Sequence, residues 1–78
     1  MNKNTADLLL AVTERGSRIA AFQSPIEYAA VDACGRKREH HEPGVVSAAF
    51  ERGWLARAPG PSYVLTYRGR VALSRRYA

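Results

Sequence analysis

One cysteine, one methionine and one tryptophan occur in 78 residues, and the first of these scarcities already excludes a good deal. Cys34 has no second cysteine to pair with, so the chain builds no internal disulfide framework and no Cys-x-x-Cys metal cage. Acidic side chains are few, seven against twelve Lys and Arg, which leaves a net charge of +5. No apolar run approaches the ~20 residues a membrane helix needs. The opening segment, Met1-Asn2-Lys3-Asn4-Thr5-Ala6-Asp7, is polar, and Asp7 and Glu14 interrupt the apolar stretch around Leu8. That pattern is unlike a secretory signal. The expectation is a cytoplasmic protein without a membrane contact.

Chemistry-bearing constellations are also missing. His40 and His41 with Cys34 invite a zinc reading, but adjacent histidines on a strand point to opposite faces and no further ligand is spaced nearby. Surface or partly buried histidines are expected instead, with no metal. Cys34 as a nucleophile would need a depressed thiol pKa and a partner base; a turn cysteine is the simpler reading. No Gly-rich phosphate loop occurs, since Gly60 and Gly69 read as turn residues. Neither enzyme chemistry nor a cofactor is expected.

What is present is a compact amount of core and an uneven charge. Apolar residues make up 46% of the chain, enough for a folded domain and too many for a disordered one. The length allows a single domain over residues 1–78, burying roughly 60–65% of its unfolded surface. The first 35 residues carry three basic side chains against four acidic ones. Residues 36–78 carry nine against three, and eight of those nine are Arg. Arginine suits bidentate contact with phosphate or carboxylate, so a polyanion or an acidic protein is the expected partner.

Local signals place the elements. A helix is predicted over 5–15, capped by Asn4 or Thr5, with Leu8, Leu9 and Val12 inward, Arg15 in its last turn and Gly16 left-handed beyond it. Residues 17–41 support two readings. Arg18–Phe22, Glu27–Asp32 and Arg36–His40 read as strands. Alternatively Ser24, Pro25, Glu27 and Gly35 suit a helix over 25–34, with a capping box, a proline at the first position and a glycine stop. A second helix is predicted over 43–53, started by Pro43 and stopped by Gly53, with Val46, Ala49 and Phe50 inward and Ser47, Ala48 and Glu51 outward. Leu55–Arg57 and Tyr63–Thr66 read as a hairpin around the Ala58-Pro59-Gly60-Pro61 turn. Thr66 can cap a last short helix.

Gly53-Trp54-Leu55-Ala56-Arg57, followed by Tyr63-Val64-Leu65-Thr66-Tyr67-Arg68-Gly69-Arg70-Val71-Ala72-Leu73, resembles the wing of winged-helix DNA-binding proteins, including the MarR-type repressors. More loosely, Gly16-Ser17-Arg18-Ile19-Ala20 and the order of segments resemble the small YjhX-type family. Asp32-Ala33-Cys34-Gly35-Arg36 is similar to the Asp-x-x-Gly-Arg turn that small winged-helix proteins carry between two strands, which favours strands over the helix for 27–40. The resemblance implies a single α+β winged-helix-like domain: helix, β-strands or hairpin, helix, two-stranded wing, short C-terminal helix. It also implies a transcriptional regulator binding double-stranded DNA, with a homodimer on two half-sites as the expected assembly. On that reading Arg36, Lys37, Arg38, Arg57, Arg68 and Arg70 would hold phosphates, while Ser47 and Arg52 on helix 43–53 would face bases.

The chain also departs from a DNA-reading pattern. Glu42 and Glu51 sit on the helix that would face phosphate, and the wing tip carries no basic residue. An acidic protein partner is therefore the alternative, with the chain acting as a protein-interaction module or an inhibitor, for example a phage-encoded one. Phe50 and Trp54 are expected in the core, and Tyr67 and Tyr77 in solvated packing, although aromatic side chains beside arginines can also stack on nucleic acid.

Overall fold

The computed structural model describes residues 1–23 and 26–77. It contains, in order, α1 (Lys3–Leu10), β1 (Arg18–Gln23), β2 (Ile26–Val31), β3 (Lys37–His41), α2 (Pro43–Glu51), β4 (Leu55–Ala58), β5 (Ser62–Leu65) and α3 (Tyr67–Tyr77). The described residues thus form an α+β fold of three helices and one five-stranded antiparallel sheet of order β3-β2-β1-β5-β4. Strand β1 joins the two parts of the sheet. It pairs with β2 along its length and with β5 through Ile19↔Tyr63 and Ala20↔Ser62. Among these residues no helix precedes α2 in a helix-turn-helix; the β1–β2–β3 meander occupies that place.

The 27–40 segment is resolved in favour of strands. Side chains alternate in β2, so Tyr28 and Ala30 meet the core while Glu27, Ala29 and Val31 take the other face. A central strand with a neighbour on both sides satisfies both edges of its backbone, and this outweighs the local helix signals of Glu27 and Gly35. Ser24 and Pro25, the other half of that signal, lie outside the described residues. The Asp32 turn has a clear cause: Asp32 Oδ1 accepts from Cys34 N at 3.0 Å and from Arg36 N at 2.9 Å. These hydrogen bonds, with the Arg36 amide foremost, hold the Asp32 carboxyl below its ordinary value.

Two helix boundaries differ from expectation. Helix α1 starts earlier and stops at Leu10 rather than at 15. Asn2, not Asn4 or Thr5, caps it, its Oδ1 accepting from Thr5 N at 2.9 Å. Beyond Leu10 the chain tightens into i→i+3 turns, Val12 N to Leu9 O and Thr13 N to Leu10 O, and the Thr13 hydroxyl also donates to Leu10 O. Arg15 therefore lies outside the helix, while Val12 still reaches the core. Helix α2 ends at Glu51, not 53. Trp54 N donates to Ala49 O and Gly53 N to Phe50 O, a Schellman exit that needs the left-handed backbone Gly53 adopts at φ 79°.

Ala6, Leu8, Leu9, Val12, Ile19, Ala30, Val46, Ala49, Leu55 and Leu73 form the buried core, so all three helices pack on one face of the sheet. Across the other face runs a row of mainly small residues, His40, Ala29, Ala20, Ser62 and Ala58, fixed by the strand register.

Candidate nucleic-acid interface

The corner where α2 leaves and α3 begins is built by four residues that close on one another. Thr66 Oγ1 donates to Gly53 O at 2.6 Å and accepts from Gly69 N at 3.0 Å, while Thr66 N donates to Trp54 O at 3.0 Å. Thr66 thus caps α3 and fastens it to the exit of α2. Gly69 sits against the Trp54 carbonyl and the Leu65 side chain, where a Cβ would collide with both. The close approach brings the first turn of α3 onto Trp54, and the Arg68 side chain lies along Gly53, its Nη1 3.3 Å from where a Cβ there would stand.

From this corner rises a basic, aromatic surface. The Arg52 guanidinium, at the end of α2, lies 5.2 Å from the centre of the Trp54 ring, within range of a cation–π contact. Trp54, Tyr67, Arg68, Val71, Ala72, Arg75 and Met1 line a cleft beside it of about 510 Å³. On α3, Tyr67, Val71 and Arg75 recur at i, i+4, i+8, and Arg68 and Ala72 at i, i+4, so they share one face. Among the described residues no carboxylate lines the cleft, and the sequence of α3 contains no acidic residue.

The other expected phosphate ligands stand elsewhere. Lys37 Nζ is 2.9 Å from Glu27 Oε1 and 4.4 Å from the Phe22 ring centre. Arg38 is 4.0 Å from Glu14. Arg36 is exposed at the start of β3, its amide tied to Asp32. Arg57 lies 5.6 Å from the Phe50 ring on β4. Since β3 and β4 are opposite edges of a five-stranded sheet, Lys37 and Arg57 are separated by about 19 Å of strand spacing. Arg70 donates from Nη2 to Thr13 O at 3.3 Å. Of the eight expected contact residues, the fold brings Arg52 and Arg68 together around Trp54 and distributes the rest.

Helix α2 makes a poor reading surface. Ser47 and Arg52 are five residues apart, about 140° around the helix, so they do not point the same way. Glu51 shares the exposed side with Ser47. The sequence places Trp54 toward the core, where it is partly buried, and Tyr67 in solvent, where it stands, but does not foresee that the two meet Arg75 around one cleft. Their signal was the helical spacing of Tyr67, Val71 and Arg75 in a segment with no acidic residue.

A second cleft, of about 640 Å³, separates α1 from β3 and is lined by Asp7, Glu14, Arg38, Glu39, His41 and Glu42 among others. Burial pushes the His41 imidazole pKa down, opposed by Glu39 and Asp7, and its Nε2 is buried with no hydrogen-bond partner among the described residues. His40, pointing to the other face, lies 3.4 Å from Glu27. Among the described residues no three His, Cys, Asp or Glu side chains converge on a metal site. No helix among them is long and apolar enough to cross a membrane. Compared with protein-family models, curated proteins and solved structures, the chain matches none of them.

Proposed function

We propose that the protein binds double-stranded DNA as a small transcriptional regulator, gripping the phosphate backbone through the face that α3 shares with the end of α2. One observation carries this reading: Arg68 and Arg75 line an aromatic cleft, Arg52 lies over its Trp54, and among the described residues no carboxylate stands in its wall. Guanidinium groups held in place bind phosphate without first being ordered. The β4–β5 hairpin connects the exit of α2 to α3, and Arg57 on it would be a further backbone contact. Arg36, in the β2–β3 turn at the far edge of the sheet, would reach only a strand that wraps around the domain. Helix α2 contributes position rather than base readout, because its exposed residues are Pro43, Gly44, Ser47, Ala48 and Glu51. A homodimer would double the footprint and supply two half-sites.

The test is the binding of a labelled duplex as salt is varied. Three to five neutralised phosphates give a log–log slope of about −3 to −5. An affinity that barely moves between low and physiological salt would defeat the proposal. Selection of bound sequences from a random pool then tells whether any base is read.

A second reading is favoured by Glu42, at the N-cap of α2, and Glu51, at its last turn, both exposed. On that reading the same arginines meet an acidic protein. Glu42→Gln with Glu51→Gln strengthens duplex binding if α2 lies near DNA, and leaves it unchanged if α2 faces a protein.

A further inference from the structure

The Trp54 cleft differs from an ordinary backbone grip, because phosphate contacts need no aromatic floor. Tyr67 is 82% exposed, so its ring contributes little to the fold, yet it stands at the rim of a cleft whose floor includes Trp54, Val71 and Ala72. The cleft volume, about 510 Å³, falls in the range of small-ligand sites. Its charged wall is cationic: Arg68, Arg75 and the N-terminal residue Met1 line it, and Arg52 lies over Trp54. The occupant that fits is planar on one side and anionic on the other.

We propose that this cleft takes an unpaired nucleotide of a single strand, its base laid on Trp54 and Tyr67 and its phosphate held by Arg68 and Arg75. In a duplex each base has both faces covered by its neighbours, so only an unstacked base can lie on a protein ring. Aromatic platforms flanked by basic groups bind single strands with little sequence preference, since every base has a π-face. An acidic peptide would satisfy the charges but would leave Tyr67 and Trp54 without a flat partner. The inference rests on the reading of the α3 face as a nucleic-acid surface, and it adds that single-stranded regions are held there more closely than duplex.

Trp54 is the only tryptophan, so its fluorescence reports on the cleft directly. The intact chain is titrated with short oligo(dT), with a duplex of equal length and with poly-glutamate, each at about 50 mM salt. Oligo(dT) is expected to quench the emission, and Tyr67→Ala to weaken its binding roughly five- to a hundredfold. Arg75→Gln should weaken it as well. Duplex should bind without that quench and be indifferent to Tyr67→Ala. Because Tyr67 is exposed, that variant keeps the fold, as circular dichroism will verify. Duplex binding with no oligo(dT) quench overturns this inference and leaves the duplex reading standing. Loss of binding to both nucleic acids overturns both. Quenching by poly-glutamate that displaces oligo(dT) reassigns the cleft to an acidic protein and overturns the inference.

Discussion

Lys37 and Arg38 on β3 look, in the sequence, like the equals of Arg52 and Arg68 near the C-terminal helix. In the folded chain they have different tasks. Lys37 closes on Glu27 and Phe22, and Arg38 faces Glu14, so the β3 side spends its positive charge on the chain's own carboxylates. At the α2–α3 corner no carboxylate among the described residues lines the cleft. Arg52 rests on an aromatic ring and Arg68 along a glycine. Charge that is already neutralised stabilises an edge strand and discourages edge-to-edge pairing. Charge held against apolar surface is available to a partner. Composition cannot separate the two cases; neighbours can.

The comparison breaks most forcefully at Gly69. A Cβ there meets the Trp54 carbonyl, which is backbone and cannot swing aside. Gly69→Ala should cost about 3 kcal/mol by overpacking, a large share of the ~5–15 kcal/mol that holds a domain folded. The counterpart in the β2–β3 turn, Gly35→Ala, meets open space at φ 83° and should cost only the left-handed strain of about 1–2 kcal/mol. Urea midpoints of the two variants check the contrast, and equal losses would show that the corner is not tightly packed. Next in size is Thr66→Val, which removes the Oγ1 bonds to Gly53 and Gly69. It should cost about 1–2 kcal/mol and loosen Arg68, so duplex affinity should fall further than the fraction unfolded explains.

Binding itself sharpens the comparison. Arg68→Gln and Arg52→Gln should each lower duplex affinity about tenfold, equivalent to ~1.4 kcal/mol, and reduce the salt slope by about 1. Lys37→Gln and Arg38→Gln should change affinity by less than about twofold, because each gives up a surface pair with a median value of ~0–1 kcal/mol before it meets any phosphate. Equal losses at all four positions would mean that DNA wraps both sides and that the α3 face has no priority.

Much of this architecture was legible because it is written locally. Gly53 and Thr66 announce the ends of α2 and β5, Pro59 and Gly60 a turn, and Asp32 with Gly35 another; each acts through its own backbone within a few residues. The early stop of α1 was not legible, since the apolar spacing of Leu8, Leu9 and Val12 continues past the helix while Thr13 diverts the Leu10 carbonyl. Nor was the β1–β5 pairing, which joins residues more than forty positions apart through contacts no local pattern encodes. The site suffered most. Eight basic and polar residues were chosen by type, and their division into paired and unpaired groups depends on Glu14 and Glu27, distant in sequence from Arg38 and Lys37. Gly69 was read as a turn residue, when its role is to admit a neighbouring carbonyl.

The smallest expected effect is one of pH, and it should act on one side only. The β3 side holds the shifted titratable groups. Burial depresses the His41 pKa below its ordinary 6.5, with Glu39 and Asp7 opposing and His40 assisting. The Lys37 hydrogen bond, aided by the charges of His40 and Lys37, depresses the Glu27 pKa below 4.5. A group whose pKa is lower in the folded state than in the unfolded one stabilises the fold above the unfolded value. That contribution is lost as pH falls through the folded value. The acid side of the stability curve should therefore descend in two stages, the first beginning below about 6.5 from His41 and the second below about 4.5 from Glu27 and Asp32. His41→Phe fills the same half-buried position beside the α1–β3 cleft and has no proton to gain. It should remove the first stage and keep the second, whereas Glu27→Gln should soften the second and keep the first. The α3 face relies on guanidinium groups that do not titrate in this range. Duplex affinity per folded molecule should then stay level from pH 7 to 5.5 while stability begins to fall. A parallel decline of both, in chemical denaturation and in binding measured on the same samples, would show that the two sides are coupled and that the contrast between them fails.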